Sequence, residues 1–131
     1  MSGADSRGET LLPTKPLQPK RSEIWYVNLD PTIGAEIKKQ RPVVVVSSNA
    51  MGRLPIKLVA PITNWKSKFA QNLWHVKINP AKTNGLSKPS AIDVLQLRGI
   101  DMQRFLKVVG RVSSIKMDEI TAAIAAVIEY Q

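Results

Sequence analysis

The segment Pro42-Val43-Val44-Val45-Val46-Ser47 constrains the fold more than any other part of the chain. Valine is branched at Cβ, which stiffens its side chain and favours extended backbone. Side chains alternate between the two faces of a strand, so consecutive valines leave no polar face for water. The segment therefore predicts a central strand covered on both sides. Pro42 belongs at its first position, where the missing N–H breaks no ladder. At 131 residues, the chain is one domain long, with little room for a second.

Further strands surround this one. Glu23 to Leu29 alternates and is broken by Asp30-Pro31-Thr32-Ile33-Gly34. Ile56 to Ile62 follows the turn from Ser48 to Pro55. Leu73 to Ile78 alternates, predicting Trp74, Val76 and Ile78 inward and His75 and Lys77 outward. Ala91 to Leu97 and Leu106 to Val112 complete a set of six. The period then changes. Met117, Ile120, Ile124, Val127 and Ile128 recur at helical spacing, predicting a helix from Met117 to Ile128 with Asp118 and Glu119 near its positive end. Short, regularly spaced strands closed by one helix suggest a small, strongly curved barrel. Residues 1–20, with Pro13, Pro16 and Pro19 among polar residues, read as a disordered tail.

Composition excludes several chemistries. There is no Cys, hence no disulfide, thiolate metal site or Cys nucleophile, and one His cannot build a His-rich metal site. No cofactor is expected. No apolar run approaches the ~20 residues that span a bilayer, and no secretory signal is visible, so no membrane partner is expected. The absence of Cys is compatible with a reducing cytoplasm. The net charge is +9. Between Ile37 and Ile92 there is no acid, but there are ten bases: Lys38, Lys39, Arg41, Arg53, Lys57, Lys66, Lys68, Lys77, Lys82 and Lys88. The rest of the chain is close to neutral. Such a block predicts a positive face suited to a polyanion, either nucleic acid or an acidic protein segment.

Three segments, in this order, resemble the MazF/PemK family of toxin endoribonucleases. They are Glu23-Ile-Trp-Tyr-Val-Asn-Leu-Asp-Pro-Thr-Ile-Gly-Ala-Glu36; Arg41-Pro-Val-Val-Val-Val-Ser47 with Val59-Ala-Pro-Ile-Thr63; and Gln96-Leu-Arg98 with Ile100-Asp101. The resemblance covers residues 21–131. It implies a mainly β fold with one α-helix, an SH3-like barrel of PemK/MazF/CcdB type with a C-terminal helix. It also implies a homodimer, a cognate acidic antitoxin, and metal-independent cleavage of single-stranded RNA. The products would end in a 2′,3′-cyclic phosphate and a 5′-hydroxyl. The family's catalytic Arg falls on Arg41 and its catalytic Thr or Ser on Thr63. Some members carry an acid directly before the Gln of the third segment. Here that position is Leu95, and Asp93 lies two residues earlier.

The chemistry suits those residue types. RNA brings its own nucleophile, the 2′-hydroxyl. The protein has to orient it, move a proton and stabilise charge on the phosphoryl oxygens. The planar fork of Arg41 can hold two oxygens, and Thr63 can donate to the same centre. Candidate RNA contacts are Glu36, Lys38, Lys39, Asn64, Trp65, Lys66, Lys68 and His75. Each has a plainer alternative. Trp65 could stack a base or pack back on the barrel, Glu36 could orient Arg41 or be solvated, and His75 could simply face water. Arg98 and Asp101 suggest a structural ion pair. Two other functions fit the same barrel: a gyrase-poisoning toxin and a non-catalytic nucleic-acid-binding protein.

Overall fold

The computed structural model describes residues 18–37 and 39–130. Its regular elements are β1 (Glu23–Asn28), β2 (Gln40–Val45), β3 (Ile56–Asn64), β4 (His75–Ile78), β5 (Ser90–Asp93), β6 (Arg98–Asp101), β7 (Phe105–Arg111) and α1 (Ser114–Val127). The strands run in the order β4-β5-β3-β2-β1-β7, with β6 paired to β3. Every pairing is antiparallel.

The valine run behaves as its chemistry requires. Val44 and Val46 enter one apolar cluster, together with Ile24, Ala60, Ile62, Ile92 and, from α1, Met117, Ile120 and Ala123. Val43 and Val45 enter a second, with Trp25, Val27, Leu29, Val59, Ile100 and Phe105. The helix covers the first cluster. Strands and the chain after β1 supply the second, so the sheet must curl around it to shield it from water. The curl is barrel-like but open: among the described residues, β4 and β7 do not pair.

Several details depart from the sequence expectation. The single strand predicted from Ala91 to Leu97 is β5, a 3-10 turn over Val94–Gln96, and the start of a seventh strand, β6. The break is made by Asp93, whose Oδ1 accepts from Leu95 N at 3.0 Å. The turn lets both pieces pair with one edge of β3: β5 along Ile62–Asn64 and β6 along Ile56–Val59. The helix begins earlier than predicted because the Ser113 hydroxyl caps it, accepting from Lys116 N at 3.1 Å. Asp118 and Glu119 therefore lie beyond its first turn, and Ile128 lies after its end and is exposed. Arg98 and Asp101 do not pair. Arg98 reaches the Leu29 carbonyl, and Asp101 caps the next turn through Gln103 N. Pro19 is fully buried, so packing begins ahead of Ser22. The tail expectation otherwise concerns residues outside those described. No helix among the described residues is long and apolar enough to cross a membrane.

Candidate nucleic-acid interface

Strand register assembles the site. β2 and β3 pair Val43 with Pro61 and Val45 with Val59. Continued two residues past the Val43 pair, that register brings Arg41 across from Thr63. Directly opposed residues of an antiparallel pair share a face, with Cβ atoms about 4.5–5.5 Å apart. On its other edge, β3 pairs Thr63 with Ala91, and β5 pairs Ala91 with Lys77. One row therefore crosses the sheet as Lys77, Ala91, Thr63, Arg41, and Arg41 pairs in turn with Val27 of β1. Ala91, between the two polar residues, is fully buried. Thr63 lies within β3, one residue before its end, and Arg41 and Thr63 are both half-buried.

The next row on this face begins with His75 opposite Asp93. Here the outward expectation for His75 is wrong. Its side chain is 7% exposed. The 3-10 turn Ser67–Gln71 folds back and stacks Phe69 on the imidazole, with centroids 3.8 Å apart and 13° between planes. Asn72 Nδ2 lies 3.1 Å from His75 Nδ1, and Asp93 Oδ2 lies 3.6 Å from Nε2. Alternation locates the second face of β4 correctly, but it cannot reveal that a loop covers that face. Burial lowers the His75 pKa, and the Asp93 carboxylate opposes the shift. With Asn72 as donor to Nδ1, the fitting state is a neutral ring with hydrogen on Nε2.

Trp65 packs back on the protein. It meets Phe69 edge-on at 5.9 Å, and Lys77 Nζ lies 5.0 Å from its ring centre. Asn64 ends β3, and Asn64, Lys66 and Lys68 are exposed around the same loop. On the other side of Arg41, the β1–β2 loop carries Glu36 and Lys39, both exposed. Glu36 Oε1 accepts from Ile33 N at 2.6 Å, which holds a turn within the loop. Lys39 N donates to Asp30 Oδ1 at 2.8 Å. Lys38 lies outside the described residues. The basic block is contiguous in sequence but divided in space. The β2–β3 hairpin carries Arg53 and Lys57 to the far end of β3, and Lys57 is buried.

Asp93 does not stand as a free acid in place of Leu95. It is 6% exposed; Oδ1 caps Leu95 N, and Oδ2 accepts from Gln96 Nε2 at 3.2 Å. Leu95 is 59% exposed on the 3-10 turn. No cluster of three or more metal-ligating residues occurs among the described residues. The sequence reading missed Lys77, Phe69 and Asn72 as site residues. Lys77 carried a usable signal, because it is basic and predicted outward in the acid-free block, but its distance from Thr63 depends on strand pairing.

A curled antiparallel sheet with one C-terminal helix and a basic rim around an Arg–Thr pair defines a class of small SH3-like barrels. The chain belongs to the family described as PemK-like, MazF-like toxins of type II toxin–antitoxin systems, which it matches over residues 20–128. It is 33% identical over 111 residues to endoribonuclease MazF9 of Mycobacterium tuberculosis, covering 80% of this chain and 92% of the relative. It is also 33% identical over 106 residues to endoribonuclease EndoA of Bacillus subtilis, covering 80% and 90%. Among solved structures, MazF from Deinococcus radiodurans superposes with a TM-score of 0.71 at 19% identity, over 85% of this chain and 96% of that one.

Proposed function

We propose that this chain is an endoribonuclease toxin that cuts single-stranded RNA at specific sequences without a metal. The observation that carries the reading is the row Lys77, Ala91, Thr63, Arg41 across neighbouring strands. The 2′-hydroxyl oxygen attacks phosphorus, giving up its proton to solvent water, and the bond to the 5′-oxygen breaks. The 5′-oxygen takes up a proton, leaving a 2′,3′-cyclic phosphate and a 5′-hydroxyl. Arg41 binds the phosphoryl oxygens through its fork, Thr63 donates to the same centre, and Lys77 adds positive field. Asp93 is held by Leu95 N and Gln96, and position 95 carries Leu, so this site depends mainly on charge stabilisation and orientation. We further infer a cytoplasmic homodimer neutralised by an antitoxin with an acidic segment. That segment and RNA compete for the same field.

The test is incubation of purified protein with a long RNA in EDTA, with new 5′ ends mapped. Cuts at a short recurring sequence with 5′-hydroxyl ends are expected. Failure to cut, with or without added divalent metal, would reject the enzymatic reading. The exposed Leu95 favours one second reading, a barrel that binds RNA without cutting it. In that case RNA binds with steep salt dependence and stays intact.

A further inference from the structure

The β1–β2 loop leads into Arg41, and its described residues, 29–37 and 39, include Glu36 and Lys39. Several hydrogen bonds hold its base. Leu29 N donates to the Lys39 carbonyl at 3.0 Å, and Arg104 Nη1 donates to the carbonyls of Asn28 and Asp30 at 3.0 and 2.6 Å. Its far half is fastened differently. Ile37 N donates to Gln96 Oε1 at 2.7 Å, across a sequence separation of 59. The other end of the same amide, Gln96 Nε2, donates to Asp93 Oδ2. Asp93 is buried, caps the 3-10 turn that carries Gln96, and faces His75. His75 in turn is held by Asn72 and Phe69 of the loop that carries Trp65, Lys66 and Lys68.

The two loops on either side of the Arg41–Thr63 row are thus joined by one chain of side chains. Its direction is fixed. A backbone N–H can only donate, so Gln96 must turn its oxygen to Ile37. Its NH₂ then faces position 93, which must accept. Leu95 N makes the same demand on the other oxygen, Oδ1. With a donor on each of its oxygens, position 93 is satisfied by a carboxylate, and a single amide there turns an NH₂ against one of the two donors unless that donor is replaced by an acceptor.

We propose that Gln96 and Asp93 are positioning residues. They set the spacing of the two loops across the active-site row and hold the β1–β2 loop ready for RNA. This rests on the proposed nuclease reading, and its test carries a readout that does not. Gln96→Ala removes the acceptor from Ile37 N, and Asp93→Asn sets an NH₂ against the Gln96 NH₂. Each should raise KM for a short RNA about fivefold to tenfold, the worth of one hydrogen bond, while kcat stays within about threefold. The double variant Asp93→Asn with Gln96→Glu reverses the polarity of that one bond. The new amide at position 93 then donates to the new carboxylate at position 96, whose other oxygen still accepts from Ile37 N. It should return KM to near the parent value. Amide hydrogen exchange at Ile37 provides the second readout: slow in the parent, fast in Gln96→Ala, and slow again in the double variant.

Parent-like KM and Ile37 exchange in folded Gln96→Ala would overturn the proposal. So would a folded double variant that behaves no better than Asp93→Asn. If Asp93→Asn does not fold, Gln96→Ala alone decides, since Gln96 is only partly buried on a surface turn. If the parent does not cut RNA, the nuclease reading fails, and the exchange pattern still decides whether the tether exists.

Discussion

Replacing Arg41 tests the site most directly. The side chain leaves β2 one residue after the strand begins, opposite Val27 on one edge and, by register, Thr63 on the other. Arg41→Ala removes a charge and a two-pronged donor from the phosphoryl group. Loss of one preorganised donor to a developing oxyanion costs ~2.7–4 kcal/mol, or about 10²–10³ in rate. Arg41→Ala should therefore lower kcat at least ~10³-fold, because the field is lost as well. Arg41→Lys keeps the charge and loses the fork, and should fall between the parent and Arg41→Ala. Thr63→Ala should lose about 10²-fold, whereas Thr63→Ser, which keeps the hydroxyl, should remain active. Single-turnover cleavage of a fluorescent RNA at saturating protein isolates the chemical step. Thermal melts of each variant establish that cleavage rates are compared between folded proteins. Parent-rate cleavage by a folded Arg41→Ala would refute the assignment.

Three further outcomes are expected. Binding of an uncleavable RNA should weaken with salt, with a log–log slope of roughly −3 if about four of the rim bases meet phosphates; a flat response in a filter-binding titration would remove the basic rim as the surface. His75 is held neutral by burial, so the unfolded chain takes up its proton first as pH falls below about 6.5. The stabilisation from neutral His75 is thus complete above that pH and lost below it. Denaturant melts should show a smaller acid loss for His75→Phe than for the parent, and equal losses would refute the neutral assignment. Gly110→Ala would set a Cβ 2.5 Å from the Thr83 carbonyl oxygen and from the Asn84 carbonyl carbon. Both are backbone atoms, in a loop pinned by Asn84, so a loss of about 1–3 kcal/mol in melts is expected.

Local chemistry made much of the fold legible. The valine run identified a strand buried on both faces, and each valine enters the cluster that alternation assigns. Helical spacing found α1, although its start depended on the Ser113 cap rather than on apolar period. What stayed hidden depends on long-range pairing. A carboxylate that caps its own turn splits β5 from β6, and no periodicity reports that. His75 looked solvated because a strand pattern sees two faces and cannot see Phe69 arriving over one of them. Arg41 and Thr63 came from motif resemblance. Their closeness rests on the β2–β3 register, and the share of Lys77 in the same row on two further pairings.

Position 95 allows a gain-of-function test. The family resemblance implies an acid directly before Gln96, and here Leu95 stands there, 59% exposed on the 3-10 turn. Asp93 cannot fill the role, since both its oxygens already accept hydrogen bonds within the protein. If proton transfer is the function this site lacks, Leu95→Glu should supply it without disturbing the core. A well-placed general acid or base contributes about 10²–10⁴, and a newly installed one without a supporting shell should give less, about tenfold in kcat. If the proposed RNA path passes this turn, the added carboxylate should also raise KM through repulsion. Leu95→Gln separates shape from proton transfer and should cut at the parent rate. Leu95→Glu should also add a limb to the pH–rate profile near ~4–5, where a glutamate titrates. Equal kcat and equal pH profiles for the Glu and Gln variants would show that position 95 holds no vacant proton-transfer role in this chain.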